Sequence, residues 1–343
     1  MKQKTVILGS TGIKSGKNAF GALPVQRDSK EDAIRLLRRA YESGFTFFDT
    51  ARAYTDSEEK IGLALSDVRD RITIATKTHS TDPDGFKKDL QTSLEMLKTD
   101  YIDIYQFHQY TYVPKPGDKT GMYECMLEAK KEGKIRHIGI TTHKIDVAEE
   151  AVKSGLYETL QFPLSYLSSE RDKKLPTLCR EHNVGLICMK ALSGGLITNA
   201  KAAYAFLDRY ENALPIWGIQ KESELDEFIS FMTDAPEMTK ELSEVIENDI
   251  KELSGDFCRG CGYCTPCPAG ITIYQCARMI QLIRRSPSAQ HLSEQSRQMM
   301  FKIEDCLHCN RCVKKCPYNL PIPTLLKKNL EDYKKILSGE IKV

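Results

Sequence analysis

Eight of the twelve cysteines in this 343-residue chain fall into two tight runs. One is Cys258, Cys261, Cys264 and Cys267 before Pro268; the other is Cys306, Cys309, Cys312 and Cys316 before Pro317. Three cysteines at steps of three, then a fourth before a proline, form the ligand pattern of a cubane 4Fe-4S cluster, here written twice. Short Cys-x2-Cys loops wrap thiolates around one corner of a cluster and turn backbone N–H groups toward the sulfurs. The runs predict one-electron transfer through two 4Fe-4S clusters.

The second run reads Cys-x2-Cys-x2-Cys-x3-Cys-Pro, the bacterial form in which the fourth cysteine ligates the other cluster. Cys316 is therefore expected to cross to the cluster of Cys258, Cys261 and Cys264, and Cys267 to complete that of Cys306, Cys309 and Cys312. The first run is one residue short before its fourth cysteine, with only Thr265 and Pro266 between, and Cys276 is the spare thiol nearby. Structural zinc is the alternative, but zinc sites pair Cys-x2-Cys units across a dozen or more residues. Disulfides are disfavoured because nothing at the N-terminus looks secretory. Cys125, Cys179 and Cys188 sit in apolar surroundings and read as buried, inert thiols.

A second set of reactive types lies in the first third of the chain: Asp49, Tyr54, Lys77 and His108. Each alone reads as readily as a structural residue. Together they could move a proton. A phenol near its ordinary pKa of about 10 is a poor acid at neutral pH, and a neighbouring ammonium lowers that value. Asp49 would pair with Lys77, His108 would orient a substrate oxygen, and Tyr54 would donate its proton as hydride reaches carbon.

The elements that must position these groups alternate. Apolar runs at Ala19–Leu23, Thr46–Thr50, Ile72–Thr78, Ile102–His108, His137–Thr142, Thr159–Leu164, Gly185–Leu192 and Pro215–Ile219 are separated by amphipathic stretches. Eight strands alternating with eight helices predict a closed (β/α)8 TIM barrel, an α/β fold, in which residues at the strand C-termini form the site. Asp49, Lys77 and His108 stand at such ends and Tyr54 in the loop after Asp49. A doubly wound open sheet is the alternative, but no glycine-rich dinucleotide turn follows the first strand. Residues 5–14 read as a small hairpin closing the barrel bottom. The expected organisation is a barrel over 1–235, a linking helix over 236–254, and over 255–343 a small ferredoxin-like iron–sulfur domain with a helical insert. The Lys-rich tail from Leu320 reads as a helix with a solvated face.

Composition is that of a globular protein, with 41% hydrophobic and 28% charged residues and a net charge of +2. That charge argues against nucleic-acid binding. No apolar run approaches the roughly 20 residues of a membrane span, so a cytoplasmic protein is expected.

The stretch Phe48-Asp-Thr-Ala-Arg-Ala-Tyr54, followed by Ser57-Glu-Glu and Ile61-Gly62, resembles the signature of the aldo-keto reductases. Thr73-Ile-Ala-Thr-Lys77, Tyr101 to His108, Gly133 to Gly139, and Gly185 to Gly195 continue the match in order. A barrel followed by paired cysteine runs resembles the ferredoxin-tailed branch of that superfamily. The resemblance implies Asp49, Tyr54, Lys77 and His108 as a catalytic tetrad, and a small carbonyl or alcohol as substrate. It also implies an NADP or NAD site using Thr141, Thr142, Gln161, Lys190 and the 190–195 loop, Gly218 and Lys221, with Phe162 and Tyr166 as candidates to stack on the nicotinamide. Tyr110, Tyr112, Gln26 and Arg27 would shape a partly polar mouth.

The chain departs from the family after the eighth strand. The usual basic residue is Gln220 and the usual Asn is Phe228, the positions that would hold the 2′-phosphate and adenine; Lys221 is the nearest replacement charge. Nicotinamide moves hydride whereas each cluster moves one electron, a mismatch that a flavin usually bridges, and no flavin motif is present. Three readings stay open. The barrel interconverts a carbonyl and an alcohol coupled to the clusters; or it works alone beside structural clusters; or the protein relays electrons to a ferredoxin or another carrier. Oxygen-labile clusters suit an anaerobic host.

Overall fold

The computed structural model describes residues 4–253, 257–285 and 289–341. A hairpin comes first, β1 (Thr5–Ile7) against β2 (Lys14–Gly16). Eight parallel strands follow: β3 (Ala19–Gly21), β4 (Phe47–Asp49), β5 (Thr73–Thr78), β6 (Ile102–Phe107), β7 (Ile135–Thr141), β8 (Thr159–Pro163), β9 (Gly185–Met189) and β10 (Ala213–Gly218). They pair in chain order and β10 returns to β3, closing the barrel. Strands buried on both faces read as continuous apolar runs, which is why the alternation of runs and helices predicts the closed sheet.

The hairpin is a plug. Val6 and Leu8 pack with Ala19, Phe47, Ala75, Ile104, Ile187 and Leu214 in one buried cluster. That closes the barrel on the side opposite the strand C-termini and leaves the other mouth for chemistry. Local signals start the outer helices. Ser29 caps Lys30–Glu42 by accepting from Asp32 N at 3.1 Å, and the helix buries Ala33, Leu36, Leu37 and Ala40 at helical spacing. Asp82 caps Pro83–Leu97 by accepting from Gly85 N at 2.9 Å, with Pro83 opening the first turn.

The chain forms two compact units. The first comprises Met1–Ala191 and Tyr204–Met238; the second comprises Thr239–Val343 together with Leu192–Ala203, the segment that follows β9 and its connecting residues. Within the second unit the insert between the cysteine runs is broken into short helices, Ile273–Cys276, Met279–Arg285 and Glu294–Phe301. The tail is helical with its lysines exposed, and its other face is apolar. Helix Ile322–Leu337 is a core element that buries Leu325, Leu326, Leu330, Tyr333 and Ile336, while its lysines cover the other face. Spacings of three and four residues between these side chains define one apolar stripe.

Candidate active site and cluster sites

Asp49 ends β4 and Lys77 lies near the end of β5. Lys77 Nζ donates to both Asp49 carboxylate oxygens, at 2.7 and 2.8 Å, and to Thr50 O at 2.6 Å. Both side chains are buried. Burial pulls Lys77 down and Asp49 up in pKa, and their own contact opposes both shifts. A bidentate ion pair sharing a carbonyl is the arrangement that keeps two such charges ionised out of water.

Tyr54 joins this pair from the following loop. Lys77 Nζ lies 5.3 Å from the centre of the Tyr54 ring, and the His108 ring meets the same phenol edge-on at 5.7 Å. The expected lowering of the phenol pKa is not what this arrangement produces. Burial pushes Tyr54 up, and the Asp49 charge adds to the shift. The Lys77 cation is committed to Asp49, so Tyr54 holds its proton. His108 is buried and held neutral by burial and by neighbouring His79, Lys77 and His143; its Nδ1 has no hydrogen-bond partner among the described residues.

The loop carrying Tyr54 is clamped. Buried Glu58 accepts from Thr76 Oγ1 at 2.6 Å, from Ser93 Oγ at 2.7 Å, and from the Arg52 guanidinium. Thr50 Oγ1 donates to Ser57 Oγ, which donates to Ala22 O, each at 2.9 Å. Buried Lys60 Nζ donates to Val25 O and Asp28 O, each at 2.8 Å. These groups are what the Arg-x-Tyr and Ser-Glu-Glu segments are for; sequence reasoning used them as a signature without assigning the clamp.

The proposed nicotinamide residues divide. Thr141, Thr142 and Gln161 are buried at the ends of β7 and on β8. Gln161 accepts from Gln106 Nε2 at 2.9 Å, and its Nε2 reaches Asp49 Oδ1 at 3.4 Å. Thr141 Oγ1 accepts from Gln109 N at 2.8 Å and Thr142 Oγ1 from Lys144 N at 3.1 Å. Lys190 follows β9 in left-handed backbone (φ 55°) and its charge is felt by buried His143. Gly218 and Lys221 are exposed. Gln220 is tied to Asp28 Oδ1 at 3.0 Å, and Phe228 stacks on Trp217 at 4.5 Å in the core of the first unit. Gln161 and Gln106 thus converge near Asp49, whereas Phe228 is committed to packing. Tyr166 is buried edge-on against Phe206, Phe162 is buried, and buried Tyr110 donates to Ser80 O. Sequence reasoning missed His79, which stacks on His108 at 4.0 Å, and His143. His79 stands two residues after Lys77, the alternation that turns both side chains of a strand the same way.

In the second unit two cavities sort the cysteines. One is lined by Cys258, Cys261, Cys264 and Cys316. The other is lined by Cys267, Cys306, Cys309 and Cys312, with Cys264 on its wall. Each gathers four cysteines, the ligand number of a cubane. The donor chemistry fits as well. Burial and the neighbouring Cys258 and Cys261 push Cys264 up to about 12, so a thiolate there needs a cationic core to face. Among the described residues no group of three or more His, Cys, Asp or Glu converges closely enough for a single metal ion, as a zinc site would require. Cys276 lines neither cavity; it is buried, donates to Met299 O at 3.4 Å, and is pushed up to about 12 by burial.

The fold and these sites have a family. The Aldo/keto reductase family model matches residues 6–212, and the chain belongs to that family. A 4Fe-4S dicluster domain follows at residues 257–321. Among curated relatives, an uncharacterized oxidoreductase of Bacillus subtilis, YqkF, is 30% identical over 56% of this chain and 65% of its own length. L-galactose dehydrogenase of Arabidopsis thaliana is 31% identical over 56% of this chain and 66% of its own. The methylglyoxal reductase DkgB of Escherichia coli is 32% identical over 52% and 67%. The chain spans 65%, 62% and 60% of three of the curated relatives it matches. Among solved structures, the aldo-keto reductase AKR11C1 of Bacillus halodurans superposes with a TM-score of 0.64 at 22% identity, covering 72% of this chain and 96% of that one. An aldo-keto reductase of Klebsiella pneumoniae solved with NADPH gives 0.62 at 21% identity, covering 72% and 95%. The chain thus joins a TIM barrel of that family to a 4Fe-4S dicluster domain. No described helix is long and apolar enough to cross a membrane.

Proposed function

We propose that the barrel interconverts a small carbonyl and its alcohol, with Tyr54 as the general acid and base, and that two 4Fe-4S clusters couple it to one-electron transfer. The observation that carries this reading is the convergence of Tyr54, His108 and the Asp49–Lys77 pair at the strand C-termini. A bound nicotinamide would supply or accept the hydride, and the clusters would carry single electrons.

The chain's own part is proton transfer and orientation. Neutral His108 holds the substrate oxygen beside the phenol. Tyr54, kept protonated by burial and by Asp49, donates to that oxygen as negative charge develops on it. Lys77, anchored by Asp49 and facing the Tyr54 ring, stabilises the phenolate left behind. In the oxidative direction the same groups accept the proton. Thr141, Thr142, Gln161, Lys190, Gly218 and Lys221 are the residues that would hold NADP or NAD, and the eight cysteines of the two runs would hold the clusters, with Cys316 and Cys267 exchanged between them. The methylglyoxal reductases and the sugar dehydrogenase among the relatives make small oxygenated carbonyls the first substrates to try.

A second reading rests on Phe228 and Gln220. With the adenine position packed against Trp217 and Gln220 bound to Asp28, nucleotide would be held weakly and a ferredoxin-type carrier would supply the electrons. The test is turnover of a small aldehyde by anaerobic, iron-replete protein with NADPH, NADH or reduced ferredoxin. Tyr54→Phe is expected to lower turnover by roughly 10²-fold or more while leaving the cluster absorption unchanged. Retained activity in that variant would sink the tetrad assignment, and turnover only with ferredoxin would select the second reading.

A further inference from the structure

Arg278 lies between the two helices Ile273–Cys276 and Met279–Arg285 of the second unit. Its guanidinium is wedged between two glycines. A Cβ on Gly260 would stand 2.4 Å from Nη1, and one on Gly194 would stand 2.9 Å from it. Gly260 is part of the first cysteine loop, in left-handed backbone (φ +61°), and its N–H donates to Cys258 Sγ at 3.4 Å. Arg278 Nη2 donates to Ser193 O at 3.2 Å and to Gly194 O. Its Nε is buried without a partner, and no carboxylate pairs with the guanidinium among the described residues. Its neighbour Arg285 contrasts with it, binding Asp249 and Glu252.

A guanidinium held by carbonyls alone lacks an anion, and a charge withdrawn from water without a counter-charge is costly. Gly260, against which the guanidinium packs, donates its N–H to Cys258 Sγ, and a thiolate at Cys258 favours the Arg278 cation. A cubane with four thiolates is a dianion when oxidised and gains one further negative charge on reduction.

We infer that Arg278 is the built-in counter-charge of the cluster held by Cys258, Cys261, Cys264 and Cys316, and that it raises the one-electron potential of that cluster. This rests on the cluster assignment above, which iron and sulfide analysis of the wild-type protein checks separately: eight iron atoms per chain are required by two 4Fe-4S clusters. Gly260 stands in left-handed backbone, which favours glycine, and the guanidinium occupies the place its side chain would fill. Charge, chemistry of the donor and hydrogen bonds to the sulfurs are the levers by which a protein sets such a potential.

The experiment is an EPR-monitored anaerobic redox titration of the full chain with dithionite and mediators, comparing wild type with Arg278→Gln and Arg278→Lys. Arg278→Gln is expected to weaken reduction of one cluster at least tenfold, about 59 mV for a one-electron couple, and leave the other in place. Arg278→Lys, which keeps the charge, is expected to stay near the wild-type potential. If the Gln variant loses that cluster while the Lys variant keeps both, the charge is needed to assemble it, and the inference holds. Unchanged potentials in a fully loaded Gln variant overturn it. So does equal cluster loss in both variants, which would make Arg278 a carbonyl clamp for the 193–194 segment.

Discussion

Lys77 donates three hydrogen bonds, two to Asp49 and one to Thr50 O, and those bonds decide what Tyr54 can be. A free ammonium beside a phenol would favour phenolate; one already neutralised by a carboxylate does so weakly, and burial then favours the neutral phenol. Tyr54 accordingly keeps its proton at rest. The buried Cys264 thiol follows a similar logic, since burial disfavours its isolated thiolate and a cationic core would favour it. Cys316 shares its cavity with Cys258, Cys261 and Cys264, not with the other cysteines of its own run. Cys316→Ser is therefore expected to lose or alter one cluster, while Cys276→Ser leaves iron content unchanged. Iron analysis and EPR of both variants check this, and an unaltered spectrum in Cys316→Ser would refute the crossover.

At the scale of elements, the loop 50–58 and the helix that follows are fastened to β3, β5 and the helix Pro83–Leu97 through Ser57, Glu58 and Lys60. That fastening places Tyr54 without relying on the exposed part of the loop, as a site held to bond-length tolerance requires. The terminal helix Ile322–Leu337 is the corresponding support in the second unit. Leu330 is buried in its core, whereas Lys335 is exposed. Leu330→Ala is expected to cost about 2–4 kcal/mol, and Lys335→Ala to stay within about 0.5 kcal/mol. Denaturant unfolding followed by cluster absorbance measures both; equal effects would mean that the helix is not a core element.

For the whole molecule, two buried histidines make stability depend on pH. His108 and His143 are both held well below the ordinary histidine value, burial being the main cause in each. The unfolded chain takes up these protons near pH 6.5, whereas the folded chain resists them. The unfolded state thus binds more protons in that window, so stability is present above about pH 6.5 and is lost as the pH falls toward the folded values. Barrel unfolding by calorimetry should show its midpoint falling below about pH 6.5, with a shallower slope in His143→Asn. A flat profile between pH 7 and 5 would refute the buried neutral state. The proposed function would join hydride chemistry in one unit to one-electron carriers in the other, and the nucleotide and ferredoxin assays ask how the two are matched in turnover.

Much of this was legible in the sequence because the signals are local. Ligand cysteines must lie within a few residues of one another to grip one cluster corner, so their spacing survives as a pattern. Strands buried on both faces announce themselves as apolar runs, and eight of them separated by helices admit few closures. The convergence of Asp49, Tyr54, Lys77 and His108 was readable because strand ends and the loops after them meet at one mouth of a barrel. What the sequence could not supply was set by residues far apart in the chain. The protonated state of Tyr54 depends on how completely Asp49 holds Lys77. Phe228 became a core residue because Trp217 lies 4.5 Å away. The Lys-rich tail became a core helix because the opposite face found Ile280, Ile283 and Met300 to cover it. Arg278 gained its meaning only when Gly194 and Gly260, 66 residues apart in the numbering, closed around it. Charge and burial are sums over neighbours, and the tertiary structure alone says who those neighbours are.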